Sequence, residues 1–200
     1  MKGMENAYIS REILLGLSRF SLKDGLVARY QMRGRNFAPL LIYAVAHRCK
    51  WGAPQVLCCR PTFRGKPFPT TFWLTCPHLS HKCGTLESLG AVGEMQRVLL
   101  SCADDYRLYN SAYALFRLSL LGVPERLFMR RYCPRLYAAL RDNGIGGIRR
   151  GSGPTAKCLH MQTAAMLGLP GHPAESWLRP LLGDMSCTDA ACLRAAAGNV

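Results

Sequence analysis

A chain of 200 residues is the length of one domain and is long enough to bury a real core. Its residues are 49% apolar and 19% charged, which excludes a disordered chain. Lys and Arg number 26 against 12 acidic residues, a net charge of +14, and that surplus favours anionic partners such as RNA, polyphosphate or a phosphorylated small molecule.

Residues 1–26 read as a weakly amphipathic helix carrying Ile13, Leu14, Leu17 and Phe20, within an N-terminal extension over 1–29. The apolar run at 13–15 is cut short by Gly16, so no signal-peptide core is expected there. No stretch approaches the roughly 20 apolar residues of a membrane span. QMRGRNF at 31–37 is a basic turn, and LLIYAVA at 40–46 fits a buried strand. QVLCC at 55–59 and TTFWLT at 70–75 predict two more strands, separated by the turn RGKPFP at 64–69.

From Thr85 the period changes. Met95, Val98, Leu99, Cys102, Tyr106, Tyr109, Tyr113, Phe116 and Leu120 recur at steps of three and four, which predicts one long helix ending near Gly122. Pro124 opens a further helix that Pro134 kinks or splits, and NGIGGIRRGSG at 143–153 is a glycine-rich loop. Residues 154–167 read as helix, GLPGHPAES at 168–176 breaks it, and a short helix follows at 177–182. The small-residue end at 191–200 is expected to fray. Strands first and helices after predict an α+β fold, a small N-terminal sheet packed on one face by a long central helix and further C-terminal helices, in a single domain over 30–190.

Ten cysteines without a secretory leader imply reduced thiols in the cytoplasm, used for packing or for metal. One candidate site is local, CPHLSHKC, with Cys76, His78, His81 and Cys83. A second draws on distant segments: Cys49 after the first strand, Cys76 after the third, and Cys158 in the first turn of a helix, beside Lys157. Partial positive charge at a helix start suits a thiolate there. Cys187 or Cys192 would complete a tetrahedral set for zinc or an iron–sulfur cluster. Cys158 and His160 are poor direct partners, because residues two apart on a helix point about 200° apart.

A third candidate is an anion site at GIGGIRRG, where Gly146 and Gly147 free backbone amides and Arg149 and Arg150 add charge. Arg33, Arg35 and Lys66, with Phe68 or Trp73 for stacking, extend it to a polyanion surface. No P-loop, dinucleotide turn or Ser-His-Asp pattern is present.

VAHRCKWGAPQV at 45–56, PFPTTFWLTCPHL at 67–79, LES at 86–88, GIGGI at 144–148 and KCLH at 157–160 resemble, in this order, a bacterial family catalogued as domain of unknown function 501. The resemblance spans about residues 30–190 and implies a small cytosolic bacterial protein encoded near exopolyphosphatase-type and cell-division genes. The matching positions are Cys49, Cys76, Lys157, Cys158 and His160; many members carry a second cysteine at the position of Trp51. Carried over, they favour the dispersed cysteine site, with Cys49, Cys76 and Cys158 as ligands and Cys187 as fourth. His160 or Cys192 are the alternatives for that fourth place, with His160 and Lys157 otherwise beside the metal.

Overall fold

The strand β2, Pro54–Cys59, is buried along its whole length, and both of its faces need a covering layer. A computed structural model describes residues 16–68 and 70–197 of the chain. In it β2 lies between β1, Ile42–Arg48, and β5, Phe72–Leu74, in an antiparallel sheet of order β1-β2-β5. Leu57 stands opposite Trp73 and Cys58 opposite Phe72. A hairpin of β3, Thr62–Phe63, and β4, Lys66–Pro67, turns at Arg64 and Gly65, both with positive φ, as a two-residue turn requires.

Ala44, Val56, Cys58, Phe72 and Leu74 enter the main core with the helices. Ile42, Val45, Leu57 and Cys59 face the other way and meet Ala28, Phe20 and Phe37. The expected one-sided α+β sheet is therefore α+β with both faces covered. The reason is β2 itself, whose VLCC is apolar on both sides.

The covering helix on the second face is α1, Leu22–Gln31, which begins in a capping box of Ser21 and Asp24. Asp24 also takes two hydrogen bonds from Arg48 of β1, at 2.6 and 3.0 Å. Burial works against ionisation of that carboxyl, but the Arg48 and Ser21 bonds prevail and hold it below the usual range. Ser18 exchanges backbone bonds with Val45 at the free edge of β1. Of the helix expected over 1–26, residues 1–15 lie outside the described residues, while Leu17 and Phe20 precede α1.

The expected long helix after Thr85 is instead divided into α2, Pro77–Ser88, α3, Ala91–Ser101, and α4, Ala103–Ser119. Gly90 makes the first break with left-handed φ of 87°, and Cys102 makes the second with φ −121° and ψ 42°. Hydrogen bonds from Cys102 to Val98 and from Tyr106 to Cys102 carry the register across the second break. The apolar stripe therefore runs on without a continuous helix. After α5, Val123–Tyr132, Pro134 opens α6, Pro134–Asp142, a split that the proline announces.

The central helix is α7, Leu159–Gly168, in which eight of ten residues are buried. Small residues let it approach the sheet closely: a Cβ on Gly168 would lie 2.3 Å from the Phe72 ring. Gly168→Ala is expected to cost about 2–3 kcal/mol of stability, measured by urea unfolding, because neither the helix backbone nor the ring can yield. Its buried polar groups are paired. His172 accepts at Nδ1 from the Ala174 amide, so Nε2 carries the proton it donates to Gln162, 2.8 Å away. Burial drops the His172 pKa to about 4, which keeps the ring neutral.

Two further helices complete the chain, α8, Glu175–Leu182, and α9, Ala191–Ala197. Where fraying is expected at 191–197, the chain is helical and α9 lies against α1, with Ala196 buried between Val27 and Ala53. Among the described residues no helix is long and apolar enough to cross a membrane.

Candidate metal centre

Cys158 is not in the first turn of a helix. It is the residue before α7, with extended φ −162° and ψ 157°, and the helix starts only at Leu159. The late start removes the geometry that would turn Cys158 and His160 apart. An extended residue followed by the first helical turn folds both side chains toward the end of α2, where Glu87 lies in the last turn. The Cys158 sulfur, a His160 ring nitrogen and a Glu87 oxygen all lie within 4.8 Å of one another.

Glu87 and His160 are positioned by backbone. Glu87 Oε1 accepts from the Leu159 amide at 2.6 Å, an otherwise unpaired donor at the start of α7. The same oxygen is 3.0 Å from His160 Nδ1, and His160 Nε2 is 3.1 Å from the Ser80 carbonyl of α2. A carbonyl only accepts, so Nε2 is a donor and Nδ1 is the nitrogen left for its neighbours. All three residues are half-buried. The cluster borders a groove of about 320 Å³ whose wall includes His160, Arg35, Thr70, Trp73 and Met161.

The hydrogen bond to Cys158 raises the His160 pKa most, burial opposes it, and Glu87 adds to the rise, leaving the ring at about 9. The folded value stands above the ordinary 6.5, so the charged ring contributes stability in full below that pH and loses it as the pH rises through about 9. With the side chain 33% exposed, solvent screening reduces the contribution to about 1–2 kcal/mol. Denaturation of metal-free protein on either side of this window should show that loss, and His160→Gln should lack it.

The other expected ligands gather elsewhere. Cys49 sits in the β1–β2 turn, where its amide bonds the Ala53 carbonyl at 3.0 Å and Gly52 returns the chain with φ of 83°. Cys76 is the residue before α2, with Pro77 in the first helical position. Both line one narrow cavity with Cys187 and Cys192. The set Cys49, Cys76, Cys158 and Cys187 is therefore divided, with Cys192 in the place of Cys158. The local cluster disperses because α2 turns its members apart: Cys83 is buried against Thr163, 3.3 Å away, while His78 reaches the Asp184 carbonyl at 2.9 Å. Burial pushes the Cys83 thiol up to about 11.

The basic residues are spread. Arg35 reaches the groove, and Arg33 stacks over Tyr30 at 4.2 Å. Gly146 and Gly147 both have positive φ, yet the Gly147 and Ile148 amides bond inward to Gly144 and Ile145. Lys157 donates to the Gly146 carbonyl at 3.2 Å, and Arg150 faces Asp142 at 4.0 Å while Arg149 is exposed.

Glu87 is the member that sequence reasoning missed. Its signal was present in LES, at the end of what reads as the middle of a long helix. Only the break after Ser88 makes it a helix-end carboxylate. No curated protein and no solved structure matches the chain. The motifs from VAHRC to KCLH all fall within the stretch that a family profile covers, and on residues 45–178 the chain belongs to the family described as Protein of unknown function (DUF501).

Proposed function

We propose that this is a metal-binding protein whose ion is held by Cys158, His160 and Glu87, at the edge of a groove that receives an anionic ligand. The observation that carries this reading is the convergence of the three donor atoms within 4.8 Å, with Glu87 and His160 each held by a backbone contact. Sulfur, imidazole nitrogen and carboxylate together suit zinc, and three protein ligands leave a coordination position open. An iron–sulfur cluster, which wants mostly thiolates, suits this donor set less well. The bond from His160 Nε2 to the Ser80 carbonyl is the support a metal-bound imidazole ordinarily has, since it fixes the ring and leaves Nδ1 for the metal. A metal there would supply Lewis acidity toward a ligand lying in the groove.

Arg35 on the groove wall, and the overall charge of +14, favour an anion as that ligand. A cytoplasmic setting fits, because all ten cysteines are free and a reducing compartment keeps them available. Metal analysis of protein purified without chelators and without oxygen tests the proposal. One equivalent of metal retained by the wild type and missing from Cys158→Ala is the expected result, and equal metal in both would sink it.

A polyanion surface is a second reading, favoured by Arg35 and Trp73 standing together on the same groove. RNA or polyphosphate binding through it should weaken steeply with salt, and Arg35→Ala should lower the slope of that dependence by about one phosphate contact. Binding that ignores ionic strength would remove this reading.

A further inference from the structure

The cavity shared by Cys49, Cys76, Cys187 and Cys192 is separate from the groove and has a different character. It is narrow, about 10 Å³ in volume, which is room for about one water-sized occupant. Its wall brings together three distant parts of the chain: the β1–β2 turn, the start of α2, and the segment 187–192 before and within α9. From these observations we infer that Cys49, Cys76, Cys187 and Cys192 form a second, all-thiolate zinc site that locks the C-terminal segment onto the sheet. It rests on residues that the groove site does not use.

Several features around the cavity suit an occupant among these sulfurs. The Cys76 sulfur stands just before the start of α2 and faces Gln55 Nε2 at 3.8 Å. Burial raises the Cys76 pKa, so the sulfur keeps its proton until a metal displaces it. Gln31 donates through Nε2 to the Pro54 carbonyl at 2.8 Å, while its buried Oε1 lacks a partner of ordinary hydrogen-bond geometry. Gln31 lies on the wall of this same cavity. The Ser186 amide chiefly holds the Asp184 carboxyl below its usual range, and Lys50 and Lys82, which add to that shift, bring positive charge near the segment.

The segment is already tethered by polar contacts. Trp51 Nε1 donates to the Cys187 carbonyl at 2.8 Å, the Lys50 amide to Ser186 Oγ at 3.2 Å, and Lys82 Nζ to the Leu182 and Asp184 carbonyls at 2.6 Å. Ala190, also on the cavity wall, holds a φ of 52°, a left-handed turn that brings Cys192 back toward Cys187. No three of the four sulfurs lie mutually within 4.8 Å. Zinc bonds to sulfur near 2.3 Å would hold them about 3.8 Å apart, so binding draws the four sulfurs together. On coordination each thiol releases its proton to solvent, and the metal takes the four sulfur lone pairs. A volume of about 10 Å³ admits one ion and is too small for an iron–sulfur cluster.

The test uses the full-length protein, reduced, stripped with a chelator and titrated with zinc or with cobalt as a spectroscopic probe. Wild type should take up a second equivalent, with the cobalt form showing all-thiolate charge-transfer absorption. Cys187→Ser and Cys192→Ser should each weaken that equivalent by at least about 100-fold and speed proteolysis within 183–197, while leaving the equivalent that depends on His160. His160→Ala should do the reverse. An all-thiolate spectrum that survives both serine variants, its absence from wild type, or a Cys187–Cys192 disulfide in the reduced protein would overturn this inference and leave the groove site standing. Loss of the His160-dependent equivalent alone would instead strike the groove site.

Discussion

Arg117→Ala is expected to lose about 3–5 kcal/mol of folding stability, the largest effect of any single change considered for this chain. Arg117 is 1% exposed at the end of α4, and its guanidinium serves backbone carbonyls, of which Gly144 also takes a bond from the Gly147 amide. Nε donates to Thr71 Oγ1 at 2.8 Å, Nη1 to the Leu140 and Asn143 carbonyls, and Nη2 to the Gly144 carbonyl at 2.8 Å. The ring of Tyr113 lies 5.3 Å from the charge. Burial lowers the Arg117 pKa while Tyr113 opposes that shift, and a guanidinium remains charged at neutral pH. Removing it strands several buried carbonyls at once.

The consequence is local as well as global. These carbonyls belong to the end of α6 and to the loop whose Gly146 carbonyl meets Lys157, next to Cys158. A Cβ on Gly144 would meet Asn110 Oδ1 at 2.3 Å, and that same oxygen accepts from the Ile145 amide. The loop is therefore held from α4 by Arg117 and Asn110 together. Arg117→Lys keeps the charge but not the planar fork, and should recover about half of the loss, read as a urea midpoint against an unchanged slope.

The second large effect is on metal. Cys158→Ala and His160→Ala should each weaken zinc binding at the groove by about 100-fold or more, measured by competition with a chromophoric chelator. Glu87 separates the ligand role from the structural one. Glu87→Gln keeps an oxygen that can accept from the Leu159 amide, so it should weaken zinc by about 10–100-fold with little change in stability. Glu87→Ala removes the acceptor as well and should cost a further 1–2 kcal/mol or so of stability, the usual loss of a helix cap. Equal zinc affinity for wild type and Glu87→Gln would mean that Glu87 only caps α7. Affinity should also fall as the pH drops below about 9, because His160 must give up its proton to ligate and Cys158 holds that proton in place.

Much of the fold is legible from local pattern. The strands around LLIYAVA, QVLCC and TTFWLT, the turn at RGKPFP and the helix opened by Pro134 depend on alternation, β-branching and proline geometry, and these act over a few residues. The buried face of Tyr106, Tyr109, Tyr113 and Phe116 is likewise a matter of spacing. The break at Cys102 is not legible, because a hydrophobic stripe constrains where side chains point and a one-residue excursion of the backbone preserves that. Nor is the centrality of α7 legible. A helix apolar or small on every face has no periodic signal, and its place follows from how closely Gly168 meets Phe72.

The sequence by itself determined that chemistry, if carried by cysteine, would gather at element ends: Cys49 after one strand, Cys76 after another, Cys158 at the start of a helix. It determined the basic balance, the α+β class and the family. Only the tertiary structure decided which of those ends meet. Cys76 and Cys49 lie where the C-terminal segment returns, while Cys158 lies at the far end of α2, beside Glu87 and His160. The physical reason is α2 itself: a helix separates the groups at its two ends by about 1.5 Å per residue, so the start of Pro77–Ser88 and its last turn cannot share one ion. Cysteine spacing along the chain carries no information about that distance until the helix between them has a beginning and an end.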